Sequence, residues 1–247
     1  MWFNNRLFPY FFIWLFFVFM FVSCRNSDEH PSPSEKASFS NFELNLAKEF
    51  NHPDPGLYIQ DNRDNHIYRV VKIGSQLWMA ENLNFSSDDS WCYRDSSFFC
   101  KKRGRLYSWK SAKVACPDGW HLPSNEDWAV LRNYVISKSK KGCPYRSSHC
   151  VGYKLKKSTG WSRAVDTPVG SDEFGFSGVP GGMRLSDGSF SKLNEHSYLW
   201  SATEADSGRS YVWDLWYNAN GFYGGFEQER GKDGNKNNGF SVRCVKD

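Results

Sequence analysis

Cys116-Pro117-Asp118-Gly119-Trp120-His121-Leu122-Pro123-Ser124-Asn125-Glu126-Asp127-Trp128 is the stretch from which the fold of this chain is read. Its two prolines fix φ and remove backbone donors, so the segment turns rather than continuing a helix or a central strand. Ser124 then stands three residues before Asp127, a variant of the capping box in which the carboxylate also faces the positive end of the helix it starts. Trp128, Leu131 and Val135 follow at i, i+3 and i+7, giving that helix one apolar face. His121 sits inside the packed turn, and the sequence offers it no evident acid, base or nucleophile partner.

Working outward, residues 105–115 read as a short helix capped by Ser108, with Ala112 and Ala115 allowing close packing. Further upstream, residues 67–73 alternate apolar and polar side chains and are followed by Gly74-Ser75 and then Gln76-Leu77-Trp78-Met79-Ala80, which predicts a hairpin. Downstream, residues 174–182 are glycine-rich but lack the lysine and following helix of a phosphate loop, and are expected to form a strand entering a tight turn. Residues 198–203 and 211–217 carry strong strand signals from β-branched and aromatic content. In the second, Tyr211, Trp213, Leu215 and Tyr217 share one face and Val212, Asp214 and Trp216 the other. One face is expected to meet the core while the other stays partly open. Residues 217–239 are expected to form a long loop or irregular hairpin, and residues 239–245 a last strand.

The chain begins with an uncharged apolar run, residues 7–22, preceded by a single basic residue, Arg6. Sixteen residues is short for a membrane span, which needs about 20, and suits a secretory signal. Phe21-Val22-Ser23-Cys24 resembles a bacterial lipobox, so Cys24 is expected to carry lipid and anchor an exported protein to a membrane, outer membrane or cell surface. Residues 1–23 are therefore read as signal peptide, 24–56 as flexible tether and 57–247 as one folded domain. Of 31 basic and 27 acidic residues only Arg6 is lost with the leader, leaving a charge of +3. That is too little to imply a nucleic-acid partner by itself.

Seven cysteines less Cys24 leave six: Cys92, Cys100, Cys116, Cys143, Cys150 and Cys244. An even set in an exported domain reads as three disulfides, although fifteen pairings are open. Cys92 with Cys100 and Cys143 with Cys150 each close a short loop, which by elimination leaves Cys116 with Cys244. Metal binding is not expected, because there is no Cys-x-x-Cys pair and the histidines are not at ligand spacing.

Several blocks in order, Tyr68-x-x-Val71-Lys72-Ile73-Gly74-x-Gln76-x-Trp78-Met79-Ala80-Glu81-Asn82-Leu83-Asn84, Gly104-Arg105-Leu106-Tyr107-x-Trp109, Ala115-Cys116-Pro117-x-Gly119-Trp120-His121-Leu122-Pro123-Ser124, Gly175-Phe176-Ser177, Pro180-Gly181-Gly182, Trp200-Ser201-Ala202-Thr203-Glu204 and residues 239–247, resemble the Fibrobacter succinogenes major paralogous domain of exported bacterial proteins. The Gly119–Ser124 block is similar to one in C-type-lectin-like domains, including the formylglycine-generating enzyme group. The resemblance implies an α+β, C-type-lectin-like mixed domain with twisted antiparallel sheets, paired terminal strands, two helices and long irregular loops. The loop from Cys143 to Cys150 reads as an insertion.

The expected function is non-catalytic binding or adhesion, toward polysaccharide or an envelope partner. Trp216, Tyr217, Phe222, Tyr223 and Glu227 are the candidate ligand-binding residues, since aromatic rings cover apolar sugar faces while polar groups take hydroxyls. No catalytic residue, cofactor or metal is assigned. The calcium-lectin tripeptides Glu-Pro-Asn and Gln-Pro-Asp are absent from the long loop. The alternatives are an exported enzyme, which in this fold needs reactive cysteines or copper ligands, and a purely structural envelope protein.

Overall fold

The computed structural model describes residues 57–138, 150–163, 169–224 and 234–247. The leader, Cys24, the tether, Cys143 and Glu227 lie outside the described residues.

The alternation at 67–73 builds an antiparallel meander. β1 (Leu57–Asp61) pairs with β2 (His66–Ile73), and β2 with β3 (Gln76–Met79), placing Val71 opposite Trp78. Gly74 takes φ +65° in the two-residue turn, a conformation that glycine adopts without a Cβ clash. β1 was not expected. Its turn to β2 is held by a buried carboxylate, Asp61, which accepts from Arg63 Nε at 2.8 Å and Nη2 at 2.7 Å.

The middle of the chain adds β4 (Ser90–Trp91), α1 (Ser97–Arg103), β5 (Leu106–Tyr107), α2 (Trp109–Ala115), β6 (Trp120–His121), α3 (Asn125–Lys138) and α4 (Val151–Leu155). The helix expected over 105–115 starts later than its periodicity predicts, because Leu106 and Tyr107 are taken by strand pairing. Ser108 does cap it, its Oγ accepting from the N–H of Ser111 at 3.3 Å. The capping box that starts α3 forms in both directions: Asp127 Oδ2 accepts from the Ser124 N–H at 2.9 Å, and Ser124 Oγ from the Asp127 N–H at 3.1 Å. Trp128, Leu131 and Val135 are fully buried, as their spacing predicts.

The last part contributes β7 (Met183–Arg184), β8 (Phe190–Ser191), β9 (His196–Glu204), β10 (Arg209–Trp216), β11 (Phe222–Tyr223), β12 (Gly234–Asn235), β13 (Phe240–Ser241) and β14 (Val245–Lys246). One sheet runs β1-β2-β3-β14-β6 and the other β11-β10-β9-β13-β5-β4, with β12 also on β10 and β7-β8 forming a small hairpin. Pairing is antiparallel except between β9 and β13. With four α-helices among the described residues, the chain is mixed α+β.

Three expectations are corrected here. The C-terminal strand is divided: β13 joins one sheet and β14 the other, because Val242 and Cys244 give their carbonyls to Leu83 and Met79 at 2.9 and 3.0 Å while the chain crosses between sheets. The terminal strands do not pair, since the locally closed β2–β3 hairpin separates β1 from β14. Residues 174–182 form no strand. Asp172 Oδ1 takes the Ser177 N–H at 2.6 Å, and only isolated bridges form, from Gly178 to Lys156 and from Gly182 to Ser197.

Both sheets are buried on two sides. Met79, Trp200 and Val212 enter one apolar cluster with Tyr107 and Phe240, while Trp78, Leu199, Trp213 and Leu215 enter a second with Trp128 and Phe176. The half-open face expected for β10 is therefore closed along most of its length. Two disulfides brace the frame, Cys92–Cys100 and Cys116–Cys244. Cys150 is also disulfide-bonded.

Arg243 occupies the crossing between sheets and is fully buried. Its Nη2 and Nε donate to Asn82 Oδ1 at 2.7 and 3.2 Å, and its Nη1 donates to the carbonyls of Met79 at 3.1 Å and of Phe176. Burial pushes its pKa down to about 9, against the nearby charges of Glu81 and Asp172. A buried cation survives only when its donors are satisfied, and here carbonyls and one amide do that.

Candidate functional site

Strand register assembles the site. Asp214 on β10 lies opposite Tyr198 on β9 and Tyr223 on β11, and Trp216 lies opposite His196. Directly opposed residues point to the same side of a sheet, so these five side chains share one face. Their rings run in series. Tyr223 and Trp216 are 5.5 Å apart between centroids, Trp216 and His196 5.3 Å, His196 and Tyr198 4.9 Å in a stack, and Tyr198 and Phe240 5.2 Å. Phe240 is buried, whereas the other four rings are partly exposed.

Beneath the strip lies a buried carboxylate. Asp214 Oδ2 accepts from His196 Nδ1 at 2.9 Å and from the Trp216 indole N–H, fixing both rings. Its Oδ1 is buried with no hydrogen-bond partner among the described residues. Burial raises the Asp214 pKa to about 7, and the hydrogen bond and charge of His196 oppose that rise.

The turn after β10 is held from α4. Lys156 is fully buried, and its Nζ donates to the carbonyls of Trp216 and Ala219, both at 2.8 Å. Burial pushes its pKa down to about 8. Gly152 in α4 approaches the same turn so closely that a Cβ there would lie 1.9 Å from the Gly221 carbonyl oxygen. Lys156 and Gly152 are thus positioning residues for Trp216.

Of the residues singled out by sequence, the structure brings Trp216 and Tyr223 together at the end of the sheet. Phe222 points the other way into the second cluster, 4.9 Å from Trp213 and 5.6 Å from Trp128 between centroids, and presents no face to a ligand. Tyr217 is half-buried against that same cluster, its N–H donating to the Glu195 carbonyl at 2.8 Å. Glu227 lies outside the described residues. His196, Tyr198 and Lys156 carried no signal of their own, because their role depends on inter-strand register and on a contact to a distant turn.

His121 corrects another expectation. Its Nδ1 stands 2.5 Å from Asp247 Oδ1 and its Nε2 3.3 Å from Asp127 Oδ2. Pairing of β6 with β14 delivers Asp247, and the start of α3 delivers Asp127. The Ser124 hydroxyl meets the Asp127 carboxylate at 2.8 Å, so Asp127 stands between serine and imidazole. That order makes a clasp on the C-terminus, not an activated nucleophile, in which the imidazole itself must meet the hydroxyl.

In comparison with known families, the model of the family described as the Fibrobacter succinogenes major domain matches residues 71–246. The chain belongs to that family. No curated protein and no solved structure matches it.

Proposed function

We propose that this member of the Fibrobacter succinogenes major domain family is an exported, lipid-anchored binding module that takes neutral polysaccharide chains on the face built by Trp216 and Tyr223. The observation that carries the reading is the pairing of these two partly exposed rings, 5.5 Å between centroids and tilted by 50°, beside the Asp214 carboxylate. Rings at that spacing offer successive apolar patches to a sugar, and the Asp214 carboxylate beneath them fixes the Trp216 ring through its indole N–H. The leader at residues 7–22 and Cys24 support export and anchoring. The Gly119–Ser124 block, with two largely antiparallel sheets and disulfides, supports a C-type-lectin-like frame for the module.

The test is binding of the full chain to neutral glucans and xylans, compared with Trp216→Ala and Tyr223→Ala. Each substitution should weaken binding by about 10-fold, which corresponds to about 1.4 kcal/mol. Equal binding by all three proteins, or capture of an envelope protein with no glycan bound, rejects the reading. Cys24→Ala should move the protein out of the membrane fraction, and retention there rejects the anchor.

A further inference from the structure

A cavity of ≈ 510 Å³ opens away from the aromatic face, between the β2–β3 hairpin, α1 and the loop through Asp172 and Ser177. Its size falls within the range of about 300–1,000 Å³ usual for small-molecule sites. Its charge is unbalanced. Arg69, Lys101, Lys102, Arg103 and Lys157 line it against two carboxylates, Glu81 and Asp172, so it gathers a local excess of +3 in a chain whose whole net charge is +4. Both carboxylates are engaged already: Glu81 Oε1 accepts from the Arg69 N–H at 3.2 Å, and Asp172 takes the N–H and hydroxyl of Ser177, each at 2.6 Å. Lys101, Lys102 and Lys157 form no ion pair with any described residue. Cations that share a concave wall focus their field on an anion entering it.

The wall also carries fixed polar groups. Arg69 Nη2 donates to Ser177 Oγ at 3.0 Å, which in turn donates to Asp172, a fixed relay along one side. Asp172 and Ser177 both hold left-handed φ, +50° and +52°. Asn84, on the opposite lip, has a buried Oδ1 with no partner among the described residues. The Cys92–Cys100 disulfide pins α1, which carries Lys101 and Lys102. Arg243 lies behind this wall, bonded to the Asn82 side chain and the Ser177 carbonyl.

We infer that this cavity binds an acidic sugar unit, a saccharide ring bearing a carboxylate or sulfate, with Lys101, Lys157 and Arg69 meeting the anionic group and Asn84 and Ser177 facing the hydroxyls. The inference does not rest on the aromatic face. The test is calorimetric titration of the full chain with glucuronate and glucose 6-sulfate, with glucose and inorganic sulfate as comparators. At least one acidic sugar should bind about 10-fold more tightly than glucose and than inorganic sulfate, and its affinity should fall as salt is added. Lys101→Gln with Lys157→Gln, both at exposed positions, should weaken it by about 10-fold, and Trp216→Ala should leave it unchanged. Absence of acidic-sugar binding, affinity no greater than for glucose or inorganic sulfate, indifference to the lysine substitutions, or loss with Trp216→Ala would overturn it. Neutral-glycan binding lost only with Trp216→Ala tests the other face separately.

Discussion

Cys116 and Cys244 stand 128 residues apart in the chain and 5.9 Å apart between Cα atoms, joined by a disulfide that ties the end of α2 to the last crossing between sheets. The same junction is fastened twice more. Lys246 pairs with Trp120, and the Asp247 N–H donates to the Gly119 carbonyl at 3.1 Å. The turn at 116–124 is therefore a joint between the middle of the chain and its end.

Loop length separates the two described disulfides in their contribution. The chain-entropy account assigns about 5 kcal/mol to the Cys116–Cys244 closure and about 2.5 kcal/mol to Cys92–Cys100. Replacing both cysteines of a pair with alanine should therefore lower the urea midpoint more for the long link than for the short one. Equal losses would show that the non-covalent fastening at β6–β14 already holds the joint.

Much of this frame is legible in the sequence, and what is not has a physical cause. Capping, i, i+3, i+7 spacing, hairpin alternation and β-branched and aromatic content are local, and they placed α3, β2, β3, β9 and β10 correctly. Cysteine elimination found the long disulfide, because short loops claimed the other cysteines. The splitting of residues 239–245 between two sheets depends on where Leu83 and Met79 present their N–H groups, which no local pattern records. The candidate face was half legible: the sequence named Trp216 and Tyr223 and alternation put Asp214 with Trp216, but only register added His196 and Tyr198 and set Tyr223 on the same side. Phe222 was misread because adjacent aromatics on a strand point opposite ways, and Tyr223 is the one that faces outward.

Arg243 is a single side chain on which two sheets depend. Arg243→Met would leave Asn82 Oδ1 and the Met79 and Phe176 carbonyls unpaired in the interior, at a cost of about 3 kcal/mol or more. Arg243→Lys keeps the charge but cannot span these acceptors with one ammonium, so it should also destabilise, by about 2 kcal/mol. Thermal unfolding of both variants gives the measurement. A lysine variant as stable as the parent would mean that charge, not the planar fork of donors, is what the site requires.

Asp214 should make stability depend on pH in an unusual direction. Its folded pKa is raised to about 7 from the ordinary 3.8, so between those values the folded chain holds a proton that the unfolded chain has released. The contribution is fully present below the ordinary carboxylate range and is lost as pH rises through about 7. Asp214→Asn keeps an acceptor for the Trp216 indole and removes the titration. Urea unfolding of the two proteins across that window should give a falling stability curve for the parent and a flatter one for the variant. Parallel curves would show that Asp214 titrates alike in both states.

Gly152 provides the sharpest test of how Trp216 is positioned. Alanine in a helix is ordinarily about 1 kcal/mol better than glycine. In α4 the sign should reverse, because the new Cβ would lie 1.9 Å from the Gly221 carbonyl oxygen, a backbone atom that cannot swing aside. Overpacking of this kind costs about 1–3 kcal/mol. It should also push the turn off the Lys156 ammonium and loosen Trp216 without touching any ligand. Gly119→Ala is the control: φ is +76° there, but the added Cβ meets nothing within 4 Å, so only the backbone preference is lost, about 1 kcal/mol. Urea unfolding, with hydrogen exchange of the Ala219 and Tyr153 amides, which donate to the Trp216 and Asn220 carbonyls of the turn, separates the two cases. Gly152→Ala should lower stability and speed exchange at the turn, whereas Gly119→Ala should leave those amides protected. If Gly152→Ala stabilises the protein, α4 does not hold the turn, and Trp216 is placed by its own strand and by the Asp214, His196 and Tyr223 side chains.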